Sequence, residues 1–264
     1  MNYRKIFSVV TEHTASTVTA HYAISLATAC QAELALYAAH DEGCPESIIL
    51  HTDRHLNHLF NLALALNIPV TRITEAGHMG KLLPIRVQKE QADLLFYPLM
   101  PDEQYGANLQ RHMVHHLLRT INCDISILRV VNMAKPHPRH ILMPLGKTIK
   151  DSEHRLKFIA ELAKGFHAQV TLFHLSSQPG AKALPAEITQ FRRRLQQQHV
   201  TVLERRGRGE IGRFIAVEAI TRHYDLIVLG ATERGVLQRL FYGNPAGEVM
   251  HQPPCNTILF QAAR

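Results

Sequence analysis

An internal repeat constrains this chain more than any other feature of its sequence. Arg4-Lys5-Ile6-Phe7-Ser8-Val9-Val10 returns 135 positions later as Arg139-His140-Ile141-Leu142-Met143-Pro144-Leu145. Ala32-Glu33-Leu34-Ala35-Leu36-Tyr37 returns as Ala168-Gln169-Val170-Thr171-Leu172-Phe173. Toward the ends of the copies the offset is 132. Ala92-Asp93-Leu94-Leu95-Phe96-Tyr97 precedes Tyr224-Asp225-Leu226-Ile227-Val228-Leu229, and Cys123-Asp124-Ile125-Ser126-Ile127-Leu128 precedes Cys255-Asn256-Thr257-Ile258-Leu259-Phe260. Self-similarity at a fixed period means that one architecture is built twice. Copies of about 130 residues are long enough to bury a core each. The expected organisation is a first domain at 1–131, a Pro-broken linker at 132–138, and a second domain at 139–264.

Each copy alternates short apolar runs with helical patterns. In the second, Arg139–Leu145, Gln169–Leu175, Val200–Glu204, Asp225–Leu229 and Asn256–Phe260 read as strands. Helical spacing falls at Asp151–Phe166, Pro185–His199 and Glu210–His223, and a further helical segment reaches about Met250. Apolar strands separated by amphipathic segments predict a parallel sheet covered on both faces. Right-handed crossovers then give two tandem, doubly wound, five-stranded α/β domains. Ligands of such sheets sit outside the C-terminal strand ends, where strand order reverses. The loops after the first and fourth strands are therefore the places to look.

Composition narrows the classes further. Apolar residues make up 46% and charged residues 19%, which excludes a disordered chain. No apolar run reaches the roughly 18 residues of a membrane helix, and the first residues lack a signal-peptide cleavage pattern, so a cytoplasmic protein is expected. Cys30, Cys44, Cys123 and Cys255 are scattered with no CxxC pair, as reduced thiols would be. The net charge of +7 is unevenly spread. Residues 1–132 hold 10 Lys+Arg and 12 Asp+Glu, whereas residues 133–264 hold 19 and 10.

After the fourth strand of the second copy comes Gly230-Ala231-Thr232-Glu233-Arg234-Gly235, continuing to Gly243-Asn244-Pro245. Glycines at a strand end and before a helix let backbone amides approach a phosphate, and a helix N-terminus adds oriented donors. The same residues also serve as ordinary strand-end and helix-cap residues. The tandem halves, this loop and the closing Pro253-Pro254-Cys255-Asn256-Thr257-Ile258-Leu259-Phe260 resemble the universal stress protein family over essentially the whole chain. That resemblance implies the strand order 3-2-1-4-5. It also implies a G-x-x-G-(x)9-G-[S/T] loop that holds an adenine nucleotide such as ATP.

Gly230 and Gly243 fall on the first and third family glycines, while Glu233 stands at the second and Asn244 at the Ser/Thr. After the first strand, Leu145-Gly146 stands where nucleotide-binding relatives carry Val-Asp. Carried over in this way, Leu145, Gly146, Gly230, Glu233, Arg234, Gly243 and Asn244 are the candidate ligand residues. Glu233 would repel a polyphosphate, and Arg234 and Arg239 would offset it. In the first copy the loop positions become Pro98, Pro101, Arg111 and His112, which removes the close-approach backbone. Lys147-Thr148 is no P-loop, because Ile141 stands where that motif needs glycine.

His51, His55 and His58 share a helix face, and His112, His115 and His116 form a second cluster. A polar face explains them more simply than zinc, which needs further ligands and supporting hydrogen bonds. The run Arg192-Arg193-Arg194, with Arg205, Arg206, Arg208 and Arg213, has no interleaved aromatics and no recognised reading motif, which argues against nucleic acid. It fits a solvated face or an acidic partner. No catalytic constellation is present, so no enzyme is expected. Two functions compete. One is a stress-response regulator with an adenine nucleotide in the second domain. The other is a degenerate tandem that binds none and acts as an adaptor, for example on a transporter. Either would be a homodimer or an intramolecular pseudo-dimer, and zinc held by the first copy's histidines ranks behind both.

Overall fold

Strand pairing follows the repeat. The computed structural model describes residues 2–99, 107–131, 133, 137–175, 184–207, 211–230 and 253–264. The chain divides into one unit of Met1–Pro136 with Gln261–Arg264, and another of His137–Phe260. The division falls inside the expected linker, and the last four residues group with the first unit rather than the second.

The first unit runs β1 (Lys5–Val9), α1 (Thr14–Cys30), β2 (Glu33–His40), α2 (Glu46–Ala65), β3 (Val70–Ala76), α3 (Met79–Lys89), β4 (Leu94–Leu99), α4 (Ala107–Thr120) and β5 (Asp124–Arg129). The second runs β6 (His140–Leu145), α5 (Ser152–Phe166), β7 (Gln169–Leu175), α6 (Ala186–Gln197), β8 (Val202–Gly207), α7 (Ile211–Thr221), β9 (Leu226–Gly230) and β10 (Asn256–Gln261). Strand order is β3-β2-β1-β4-β5 in the first unit and β8-β7-β6-β9-β10 in the second. Every pair within a unit is parallel. Both units are thus doubly wound with order 3-2-1-4-5. The second copy's final helix lies outside the described residues.

The central strands are apolar because both of their faces are covered. Ile6, Phe7, Leu94, Leu95 and Phe96 are fully buried, as are Ile141, Leu142, Leu226 and Ile227 in the second unit. In α1 the small residues Ala20, Ala23 and Ala27 are fully buried, so the helix packs closely on its sheet. In the second unit bulk replaces them: Phe158 of α5 stacks on Phe260 with ring centroids 4.4 Å apart.

Two backbone devices recur at matching positions. Asp93 Oδ2 accepts the amides of Arg4 and Lys5 at 2.7 and 3.0 Å, and Asp225 Oδ2 accepts those of Arg139 and His140 at 2.9 and 3.0 Å. Each aspartate ties the start of the fourth strand of its copy to the start of the first. Helices leave through a left-handed residue: Gln31, Asn67 and Gln91 in the first unit, His167, His199 and His223 in the second. Asn and His tolerate that region better than most residues. Three of the second copy's histidines are therefore helix terminators.

Candidate functional site

In the second unit the two central strands part after Leu142 and Ile227. Parallel pairing of β6 with β9 links Ile141 to Leu226 and Leu142 to Ile227 and goes no further. Beyond it, Leu145 ends β6 buried and Gly146 follows half-buried. Gly230, half-buried, ends β9. These three predicted residues therefore meet at one edge, the reversal point of the sheet. Lys147 and Thr148 are exposed. The amide of Ile149 donates to Glu187 Oε2 at 2.8 Å, so α6 holds the loop after β6 in place. His174, buried on β7, donates from Nδ1 to the Leu145 carbonyl at 3.0 Å. A carbonyl only accepts, so that nitrogen carries the proton. Glu233, Arg234, Gly243 and Asn244 lie outside the described residues.

Arg155 was not anticipated from the sequence. It sits on the core face of α5, one turn before Ile159, and is 3% exposed. A Cβ placed on Gly230 would lie 1.8 Å from Arg155 Nη2 and 2.1 Å from Cζ. The guanidinium therefore occupies the space that the glycine leaves open. Glycine at the end of β9 serves here to admit a cation rather than a positive φ. An arginine so placed keeps its charge, and its planar fork suits carboxylate or phosphate oxygens. Helical periodicity carried the signal, since position 155 shares the face of Ile159 and Leu162. The usual preference of arginine for the surface concealed it.

The first unit has its own crevice at the equivalent edge. Pairing of β1 with β4 ends at Ser8 and Phe96. Beyond it lies a cavity of about 720 Å³. The replaced loop positions Pro98 and His112 are among its walls. Pro101 and the side chain of Arg111 lie outside the described residues. His40, at the end of β2, also lines the cavity, and its Nε2 is shielded from water with no hydrogen-bond partner among the described residues.

Two histidines of the predicted clusters have structural duties around this cavity. His55, half-buried rather than fully solvated like a polar-face residue, donates from Nδ1 to the Thr11 carbonyl at 2.9 Å. It mirrors His174 in the second unit, because each imidazole braces the chain leaving the first strand of its copy. His116 donates from Nε2 to the Gly80 carbonyl at 3.0 Å. Gly80 would normally bond the amide four residues on, but that residue is Pro84, inside α3, and it has no N–H. His116 supplies the missing donor. Gly80 is also tightly confined, since an added Cβ would meet Met113 Cε at 3.0 Å and His78 Cε1 at 3.1 Å. Among the described residues no group of three or more His, Cys, Asp or Glu is arranged to hold a metal.

Much of the basic run is internally neutralised. Arg192 pairs with Glu204 at 3.0 Å, Arg194 with Glu153, and Arg205 with Glu218. Arg208 and the side chain of Arg213 lie outside the described residues. The four cysteines are free. Burial pushes the thiols of Cys123 and Cys255 up to about 12, which leaves them protonated and poor nucleophiles at neutral pH. Among the described residues no helix is long and apolar enough to cross a membrane.

The match to a family model falls on one unit. Residues 137–261 match the universal stress protein family. No curated protein matches the chain in sequence. Solved structures extend the likeness in fold to the whole chain. A universal stress protein from Archaeoglobus fulgidus DSM 4304 superposes with a TM-score of 0.66 at 10% identity, over 98% of this chain and 96% of that one. A functionally unknown protein from Pseudomonas aeruginosa PAO1 gives 0.62 at 17% identity, over 98% and 93%. The cytoplasmic domain of a prokaryotic cation chloride cotransporter gives 0.60 at 10% identity, over 99% and 96%. At these identities the likeness is one of fold.

Proposed function

We propose that this chain is a non-catalytic, cytoplasmic regulator of the stress response whose second unit, the one with the universal stress protein match, binds an adenine nucleotide. The observation that carries the proposal is Arg155, a buried guanidinium lying against Gly230 at the strand edge where an α/β sheet receives its ligand. The loop sequence departs from the family glycine pattern at Glu233, and Arg155 adds a cation against Gly230, where that loop begins. Phosphate oxygens placed above Gly230 would meet a positive charge that water screens poorly. The exposed Lys147 adds a second cation on the neighbouring loop.

Calorimetry of the full chain against ATP, ADP and AMP tests the proposal. Submillimolar binding is expected, weakened at least tenfold in Arg155→Gln, with far-UV circular dichroism confirming the fold of the variant. Absence of heat at millimolar nucleotide sinks it.

A second reading rests on a different surface. Phe214, Val217 and Ile220 recur at helical spacing along α7, and Ile220 is 61% exposed. Such an apolar stripe fits an adaptor that pairs with a second copy or with a protein partner. Sedimentation of the wild type against Val217→Asp tests it. A dimer that dissociates supports the adaptor, and a concentration-independent monomer removes its homodimeric form.

A further inference from the structure

The first unit has lost the glycine loop and yet keeps an open crevice. We infer that this cavity is a binding site of different chemistry, selective for a cationic heteroaromatic amine and closed to polyphosphates. Its location is the first argument. The described walls come from the ends of β1, β2 and β4, the loops after β1 and β2, and α2, α3 and α4, all within the first unit. This is the reversal point of the sheet. At about 720 Å³ it has the capacity of an ordinary small-molecule site.

The walls select for a flat, polarisable body. Val9, Ala39 and Ile48 are aliphatic, and Met79, Met113 and Tyr97 offer sulfur and aromatic surfaces that favour an aromatic ring. Pro98 stands where the nucleotide-binding pattern would place glycine, so the backbone lacks the bare α-carbon of a phosphate cradle. Charge points the same way. Among the described residues the ionised side chains lining the cavity are Glu12, Asp41, Glu42 and Lys81, three carboxylates against one ammonium. Asp41 and Glu42 are exposed at its edge, where they attract a cation and repel an anion. His40 supplies the remaining polar requirement. Among the described residues no group bonds its Nε2, a costly state for an imidazole nitrogen that a ligand hydrogen bond would relieve.

A charge series on one ring tests the inference in the full chain: tryptamine (cation), tryptophol (neutral) and indole-3-acetate (anion), followed by NMR line broadening and calorimetry. The expected order is tryptamine, then tryptophol, then indole-3-acetate, with at least tenfold between the ends. Asp41→Asn with Glu42→Gln narrows that gap to within about threefold. Gly80→Val, which pushes Met113 and His78 into the cavity, abolishes tryptamine binding. Where that variant does not fold, His40→Phe provides the same test by removing the unpartnered nitrogen, and binding falls at least fivefold. ATP affinity, assigned to the second unit, is unchanged by these substitutions, so the two sites are read separately. No tryptamine binding at millimolar concentration overturns the inference. So does equal affinity for all three ligands, or undiminished binding in the folded cavity variants.

Discussion

Replacing Gly230 by alanine places a methyl group where the Arg155 guanidinium now lies. The new Cβ would be 1.8 Å from Nη2, 2.1 Å from Cζ and 2.6 Å from Nη1. Ordinary contact begins near 3.4 Å, so the guanidinium must retreat by about 1.6 Å. On an exposed arginine this would cost little, because the side chain would swing into water. Arg155 is 3% exposed and has no such exit. Overpacking in a core typically costs about 1–3 kcal/mol. Pulling a buried charge away from its compensation costs up to about 3–5 kcal/mol. Partial relaxation of the side chain places the expected loss for Gly230→Ala at about 2–4 kcal/mol, between those two effects.

Urea unfolding followed by far-UV circular dichroism measures this loss, and the absence of tryptophan makes fluorescence the poorer probe. With a slope of about 2 kcal/mol/M, the midpoint falls by at least about 1 M. A double-mutant cycle then isolates the cause. In an Arg155→Ala background the methyl group has room, and the cost of Gly230→Ala drops below about 1 kcal/mol, a coupling that only residues in contact produce. A Gly230→Ala cost below about 0.5 kcal/mol refutes the argument, because that is the range of an ordinary surface substitution. An equal cost in both backgrounds refutes it as well.

Two further outcomes are expected in the first unit. Arg86 Nε donates to Glu75 Oε1 at 3.0 Å and the Tyr37 hydroxyl to Oε2 at 2.9 Å, and these bonds, the arginine's foremost, hold the Glu75 carboxyl below its usual range. A lowered carboxyl stabilises the fold above its ordinary value near 4.5 and loses that contribution as pH falls through the lowered one. Glu75→Gln therefore costs about 1 kcal/mol at pH 7, a difference that shrinks below about pH 5 in urea titrations; a pH-independent difference contradicts it. His116→Leu strands the Gly80 carbonyl and costs about 1–2 kcal/mol, whereas in Pro84→Ala, which restores the helical amide, the same change costs less than half as much. Equal costs in the two backgrounds exclude the substitution of donors described above.

Legibility differed between fold and site for a physical reason. Fold rests on patterns that the chain carries locally. The paired runs at Arg4–Val10 and Arg139–Leu145, and the doubled aspartates Asp93 and Asp225, displayed two copies of one sheet before any coordinates. The family resemblance then supplied the strand order, and observed strand bounds differ from the expected ones by a few residues at most. Leu145, Gly146 and Gly230 lie at neighbouring strand ends, because strand ends are set by the same periodicity.

Arg155 and His40 were not singled out and the role of His116 was not foreseen, because their roles depend on what lies across the unit from them. No local pattern says that Gly230 leaves a space and that an arginine seventy-five positions earlier fills it. Nor does one reveal that Pro84 frees a carbonyl which a histidine on the next helix satisfies. The sequence by itself determined the α/β architecture repeated in two units and the strand ends where each sheet reverses, since hydrophobic period and strand length are properties of short segments. Only the tertiary structure decided that a buried cation lies against the end of β9 in the second unit and that the first unit holds an open cavity with a carboxylate rim. Burial and pairing of charge arise between segments distant in the chain, and they exist only once those segments pack.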